Sequence, residues 1–327
     1  MTTHPNKIDR RFSVAPMLDW TDKHERYFLR LMSKRALLYT EMVTTGALIH
    51  GDKERHLAFN KEEHPLALQL GGSEPKDMAL CAKMAEDYGY DEVNINVGCP
   101  SDRVQSGAFG ACLMAKAELV AENVEAMKRA VDIPVTVKNR LAIDEMDEYE
   151  TLHNFLQTIS QAGCETFIIH ARKAWLKGLS PKQNRDVPPL NYDLVYQMKK
   201  EFPDLEIIIN GGIKTLDECE AHIGHVDGVM VGREAYHNPF IMNEVDARIY
   251  DELPNKQTRF ELLDTYIEYM QEQLNQGVYL KHMSRHILGL FPAMQGAKAW
   301  RRHISENTHK EGSGIEVIRT AVDFLKV

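Results

Sequence analysis

Glu206-Ile207-Ile208-Ile209-Asn210-Gly211-Gly212-Ile213-Lys214-Thr215-Leu216-Asp217-Glu218 holds one whole structural unit. The branched run Glu206–Asn210 reads as a buried strand, the glycine pair as a turn, and Thr215-Leu216-Asp217-Glu218 as a helix start. The same grammar recurs in both directions along the chain. Seven further β-rich runs are Phe12–Ala15, Ala36–Thr40, Leu66–Leu70, Glu92–Asn96, Pro134–Lys138, Thr166–His170 and Gly228–Gly232. Amphipathic stretches lie between most of them. Ser73-Glu74-Pro75-Lys76-Asp77 opens one that runs to Gly89, and Lys116–Ala130 is another. Strands alternating with helices indicate a parallel sheet with helical crossovers. Eight such units in about 240 residues match a closed (β/α)8 TIM barrel, and it is the count that separates this from an open doubly wound sheet.

Beyond Asn238-Pro239 the pattern changes. Helical segments over Phe260–Gln276, Lys281–Leu290, Gly296–Ser305 and Ile315–Val327 predict a small C-terminal helical bundle, and Asp251-Glu252-Leu253-Pro254-Asn255 reads as its linker. The expected organisation is a catalytic barrel over residues 1–250 and a helical domain over residues 251–327.

No stretch approaches the roughly 18 to 20 continuous apolar residues that cross a bilayer. The N-terminus lacks the apolar core of a secretory signal, so a cytoplasmic, membrane-free protein is expected. The cysteines Cys81, Cys99, Cys112, Cys164 and Cys219 are odd in number and form no C-x-x-C pair. That argues against a disulfide framework and against a zinc site, and no metal is expected. The formal charge is −9, which speaks against a nucleic-acid partner until its distribution is considered. From Lys281 to Lys310 the cations Lys281, Arg285, Lys298, Arg301, Arg302 and Lys310 face one acid, Glu306. A solvated helix face and an RNA-binding face both account for that window.

In a β/α barrel the residues just after each strand form the active-site mouth. Here they are polar: Glu41, Gln69, Asn94 and Asn96, Lys138-Asn139-Arg140, His170-Ala171-Arg172, Asn210-Gly211-Gly212 and Gly232-Arg233. The last two groups suit a phosphate grip, since glycine allows close backbone approach and Arg233 adds charge. A glycine pair by itself is first of all a turn. Gln69, Lys138 and His170 offer amide and cationic partners for a flavin ring, and a cation near N1 would stabilise the reduced, anionic form. Lys138 could instead ion-pair with Glu41 or act as a Schiff-base nucleophile, and His170 could be a satisfied core histidine.

Asn94-Ile95-Asn96-Val97-Gly98-Cys99-Pro100 leaves the fourth strand for a glycine-flanked loop, Ser101–Gly110, that suits a movable lid. A cysteine there sits at the mouth. An ordinary thiol is almost wholly protonated at neutral pH, so it can serve as a general acid. A thiolate nucleophile, or an inert buried thiol, are the competing readings of Cys99.

Taken together, Ala15-Pro16-Met17-Leu18-Asp19, the Asn94–Pro100 stretch, Val137-Lys138-Asn139-Arg140, His170-Ala171-Arg172, Asn210-Gly211-Gly212-Ile213 and Val229-Met230-Val231-Gly232-Arg233 resemble the tRNA-dihydrouridine synthase family. The match runs from about Arg11 to Arg302. The long segment from His170-Ala171-Arg172-Lys173-Ala174-Trp175-Leu176 through Leu179–Arg185 to Pro188-Pro189-Leu190 is similar to the A subgroup in particular. The resemblance implies a barrel with tightly bound FMN, NADPH as reductant, and uridines 20 and 20a of the tRNA D-loop as substrate. It implies hydride transfer from flavin N5 to C6 and a proton from Cys99 to C5. By motif position, Pro16 and Met17 would touch the flavin through backbone. Gln69, Lys138 and His170 would bind its ring and attached chain. Asn210, Gly211, Gly212, Gly232 and Arg233 would hold ribityl and phosphate groups, and Asn96 would contact the flipped uracil. Extruding a base from the tRNA elbow costs a few kcal/mol, which backbone contacts offset. Lys182 and Arg185, with Lys298, Arg301 and Arg302, are the expected contacts, and a monomer is the expected state. Two other classes remain open: a small-molecule flavin oxidoreductase of dihydroorotate dehydrogenase type, and a non-catalytic tRNA-binding folding helper.

Overall fold

A computed structural model describes residues 8–101 and 107–326. The polar N-terminal residues 1–7 and residues 102–106 of the expected lid lie outside the described residues.

Eight strands close into a parallel barrel in sequence order. They are β1 (Phe12–Val14), β2 (Leu37–Thr44), β3 (Leu66–Gly71), β4 (Glu92–Val97), β5 (Val135–Arg140), β6 (Thr166–His170), β7 (Glu206–Asn210) and β8 (Gly228–Val231). The first and last pair, with Val14 opposite Val231. Strand β2 runs four residues beyond the expected end at Thr40, because a register shift between Tyr39 and Met42 lets pairing with β3 resume.

The helix starts follow the local chemistry. Thr215 and Glu218 form a reciprocal capping box at Leu216–Ile223. At Pro75–Tyr88 no side chain caps the N-terminus. Proline occupies the first turn, where its missing N–H leaves nothing unsatisfied, and left-handed Gly89 closes the other end.

The lumen is divided by chemistry. Leu37, Ala67, Ile168, Ile208 and Met230 form an apolar cluster with Tyr39 and Ala15. Strand periodicity of two also sends Glu92, Asn94 and Asn96 to one face of β4, with Thr136 and Lys138 beside them on β5. Register places Gln69 level with Asn94, and Asn94 level with Thr136. The polar residues therefore form one continuous vertical seam.

The chain separates into two compact units. One comprises the chain through Leu18 and Ala36–Gly232; the other comprises Asp19–Arg35 and the chain from Arg233 onward. The second unit is helical. Its longest helix, Arg259–Asn275, opens with the Thr258/Glu261 capping box and buries Leu262, Leu263, Tyr266 and Met270. Tyr269 stacks on Tyr27 at 3.9 Å between ring centroids, and the Tyr266 hydroxyl donates to the His24 carbonyl. Where one helix was expected over Lys281–Leu290, the chain forms Leu280–Ser284 followed by a tighter 3-10 turn at Arg285–Ile287. In that turn the buried His286 ring lies between two carboxylates, Asp22 at 3.0 Å and Glu25 at 3.1 Å. Among the described residues no helix is long and apolar enough to cross a membrane.

Candidate active site

The seam begins at the barrel floor with Glu92, fully buried and ion-paired with Arg10 at 2.7 Å. Arg10 also reaches Glu206, and the carboxylates hold its guanidinium above its ordinary range in spite of burial. Tyr39 and Thr136 both donate hydroxyl hydrogens to Glu92 Oε1 at 2.6 Å. Above them Asn94 Nδ2 donates to Thr136 Oγ1, and Gln69 Nε2 donates to Asn94 Oδ1. Asn96 Nδ2 donates to Gln69 Oε1 at 2.8 Å. Finally Asn96 Oδ1 accepts the backbone N–H groups of Gly98 and Cys99 at 3.1 and 3.0 Å. Asn96 thus ties the Cys99 turn to the barrel interior. The thiol itself is partly exposed and contacts Ser101 Oγ at 3.5 Å. It is not packed away in the core.

Across the mouth, Lys138 donates to Asn210 Oδ1 at 3.1 Å, while Asn210 Nδ2 donates to the Met230 carbonyl. Lys138 remains partly accessible, yet burial and the neighbouring Arg140 cation lower its ammonium to about 7, against the opposing pull of Cys99. His170 ends β6 and is pushed well below its usual pKa by burial, then by Arg140, Lys138, Arg172 and Arg185. It is therefore a neutral ring with one donor and one acceptor. Gly211 follows at φ +118°, where an added Cβ would lie 2.7 Å from His170 Cδ2. Gly212 is left-handed too, and its Cβ would meet Leu190 at 2.6 Å. No other residue allows this turn with the His170 ring and Leu190 in place. The result is a glycine cradle beside a neutral imidazole, a buried amide and several cations. Those shapes and donors fit a planar cofactor bearing a phosphate.

Pro16 and Met17 follow β1 and are partly buried. Gly232 follows β8 with its Cα side open to ordinary contact with Ala15, and Arg233 begins the short helix Arg233–His237. Gln69 is buried, with one amide hydrogen and its oxygen engaged in the seam.

Arg140 is a further group at this mouth to which the sequence reading gave no role. It is buried, and burial lowers its guanidinium to about 10, ahead of the pull of Cys99 and the push of Arg185 and Arg172. It donates to the carbonyls of Gly98 at 3.2 Å and Asn184 at 3.0 Å. It therefore joins the Cys99 turn to the long loop after β6. That loop is organised by buried Asn184, whose amide exchanges hydrogen bonds with both the N–H and the C=O of Trp175. Asn184 lies in the single-turn helix Gln183–Asp186, which carries Arg185 and has Lys182 at its N-cap. Both cations are exposed. In the helical unit Lys298, Arg301 and Arg302 are exposed along Ala297–Asn307, with Arg302 paired loosely to Glu306 at 3.5 Å.

Glu92, Thr136 and Arg140 could have drawn attention from the sequence. The alternation of Glu92, Asn94 and Asn96 with Val93, Ile95 and Val97 is the pattern of a strand with one polar face. In a central barrel strand such a face must be satisfied from within.

The family model described as dihydrouridine synthase matches residues 13–326. A curated protein from Shewanella oneidensis named tRNA-dihydrouridine(20/20a) synthase is 59% identical over 319 residues, covering 98% of this chain and 95% of that protein. One of the same name from Escherichia coli K12 is also 59% identical, over 98% of this chain and 94% of its own length. Among solved structures, 2-naphthoyl-CoA reductase in complex with 2-naphthoyl-CoA aligns with a TM-score of 0.56 at 12% identity, over 74% of this chain and 51% of that one. At that identity the likeness is one of fold.

Proposed function

The chain belongs to the dihydrouridine synthase family, and from that premise we propose that it reduces uridines 20 and 20a in the tRNA D-loop to 5,6-dihydrouridine. The single observation that carries the reading is the convergence of a held, accessible thiol at Cys99 with Lys138, Arg140 and His170 at one barrel mouth. Gln69, Lys138 and His170 hold the ring of FMN. Asn210, Gly211, Gly212, Gly232 and Arg233 hold its ribityl and phosphate groups, and Pro16 and Met17 touch it through backbone. When bound, FMN would supply the hydride for C6 of the uracil, with NADPH as the source of its electrons.

The chain's own residues do the remaining work. Cys99 donates its proton to C5 as the C5–C6 double bond is lost, and the thiolate so formed takes a proton from solvent before the next turnover. A positioned acid of this kind typically contributes about 10²–10⁴ in rate. Asn96 orients the turn that carries the thiol and meets the base edge. Lys182, Arg185, Lys298, Arg301 and Arg302 contact the tRNA backbone, with residues 251–327 presenting the RNA. Affinity accordingly falls as salt rises. The protein works as a monomer in the cytoplasm, where its substrate resides.

The test combines a cellular and a purified assay. tRNA from a strain lacking the gene should lose dihydrouridine at positions 20 and 20a by mass-spectrometric mapping. Purified protein should be yellow, and Cys99→Ala should bind tRNA yet form no product. Unchanged dihydrouridine in the deletion strain would refute the substrate assignment, and normal turnover by Cys99→Ala would remove the thiol from its role.

A further inference from the structure

We propose that Thr136 and Asn94 are positioning residues for the Cys99 thiol, acting through a hydrogen-bond seam whose direction is set by Glu92 at the barrel floor. The inference deepens the proposed role of Cys99 and rests on it.

Donor and acceptor supply fixes the direction of the seam. An ionised carboxylate accepts only, and Glu92 is paired with Arg10. The one hydroxyl hydrogen of Thr136 therefore goes to Glu92 Oε1 at 2.6 Å. The Thr136 oxygen is left to accept, so Asn94 presents Nδ2 to it at 2.9 Å. With its amide turned that way, Asn94 offers Oδ1 to Gln69 Nε2 at 2.8 Å. Gln69 in turn offers Oε1 to Asn96 Nδ2 at 2.8 Å. Asn96 is left with Oδ1 pointing at the two N–H groups of Gly98 and Cys99.

Each side-chain amide has two nearly isosteric orientations, and only one leaves an acceptor for the next neighbour. Glu92, Asn94 and Thr136 are fully buried or nearly so, so water cannot correct a wrong orientation. If a link is cut, the Asn94 and Gln69 amides lose their enforced orientation, and Asn96, still held through Oδ1 by two backbone N–H groups, can meet a donor instead of an acceptor at Nδ2. That donor–donor contact displaces the Asn96 side chain and with it the turn carrying the thiol. A misplacement of about 1 Å at a reacting group costs on the order of 10² in rate. The seam thus links a structural ion pair at one end of the barrel to the acid at the other.

The decisive variant is Thr136→Val, which keeps the shape and removes the hydroxyl. The full-length holoenzyme should show kcat on tRNA reduced at least tenfold with KM within twofold. The rate of Cys99 carboxamidomethylation by iodoacetamide, followed by peptide mass spectrometry, should shift at least threefold in the protein without substrate. Thr136→Ser, which retains the hydroxyl, should return both quantities toward the parent. Should Thr136→Val fail to fold, Asn94→Asp puts an acceptor where Nδ2 must donate, at unchanged volume, and should shift the same two quantities. Parent-like turnover and parent-like alkylation in the folded variant would overturn the proposal, as would a loss that Thr136→Ser does not restore. Cys99→Ala run in parallel separates the two claims. Normal turnover there sinks the acid assignment, whereas the alkylation rate still judges whether the seam positions the thiol.

Discussion

The Lys138 ammonium on β5 donates to Asn210 Oδ1 on β7 at 3.1 Å, reaching past the strand that carries His170. Burial and Arg140 bring that ammonium down to about 7, so without a bound anion it is largely neutral at mildly alkaline pH. The ring of reduced FMN, anionic at N1, restores the charge when it docks beside Lys138. Anaerobic binding of reduced FMN to the apoprotein should take up close to one proton at about pH 8.5 and fewer at pH 6. Affinity should weaken as pH rises through about 7. Calorimetry in two buffers of different ionisation enthalpy reads the proton count directly. Equal uptake at both pH values would remove Lys138 from the binding site, and Lys138→Met should abolish the difference.

Gly211 is left-handed at φ +118° with His170 Cδ2 2.7 Å from where a Cβ would stand. Gly211→Ala should cost about 1–3 kcal/mol through backbone strain and the displaced ring. It should also lower flavin retention at least tenfold, because the carbonyl and N–H groups of the turn move with it. Thermal melting and the ratio of 450 to 280 nm absorbance after gel filtration measure the two effects. Full retention would show that the turn is merely structural.

Asn184 is buried in an exposed loop and makes its hydrogen bonds to Trp175, Leu179 and Ser180 backbone groups. Removing it leaves those groups short of partners, about 1–3 kcal/mol of local stability. Asn184→Ala should therefore raise the tRNA KM roughly tenfold by loosening the segment bearing Lys182 and Arg185. Amide exchange over residues 174–187 should accelerate at the same time. Faster exchange with an unchanged KM would argue that the loop does not touch RNA.

In the helical unit, Asp22 and the fully buried Glu25 flank His286. Against the effect of burial, hydrogen bonding and charge from the two carboxylates lift His286 to about 9, and His286 and His24 hold Asp22 below the carboxylate range. Burial pushes Glu25 up to about 7. His286→Ala leaves the carboxylates buried without their cation, so it should destabilise this unit by about 3–5 kcal/mol at neutral pH. A raised histidine contributes fully below its unfolded pKa of about 6.5, and its contribution is lost as pH rises through about 9. The gap between parent and variant in chemical denaturation should therefore shrink from pH 6.5 to pH 9.5. A gap that widens over that window would contradict the ion contact.

Much of the fold was legible because its signals are local. The β-rich runs, the Thr215/Glu218 box and Gly89 each act within a few residues, and eight repeats of one pattern leave few ways to arrange a parallel sheet. The continuation of β2 beyond Thr40 was not legible, since it depends on a register shift against β3. Nor was the 3-10 turn at Arg285–Ile287, which sits where His286 meets carboxylates more than 260 residues earlier in the chain.

From the linear chain alone came the barrel, the mouth residues and the position of Cys99 after β4, because strand ends and glycine turns announce themselves over short range. Tertiary structure alone decided that Asn96 faces the Cys99 backbone, that Arg140 joins the Cys99 turn to the Asn184 loop, and that Thr136 stands between Glu92 and Asn94. The reason is physical. A side-chain amide or hydroxyl can donate or accept in several directions, and only its buried neighbours, brought by register from other strands, choose among them.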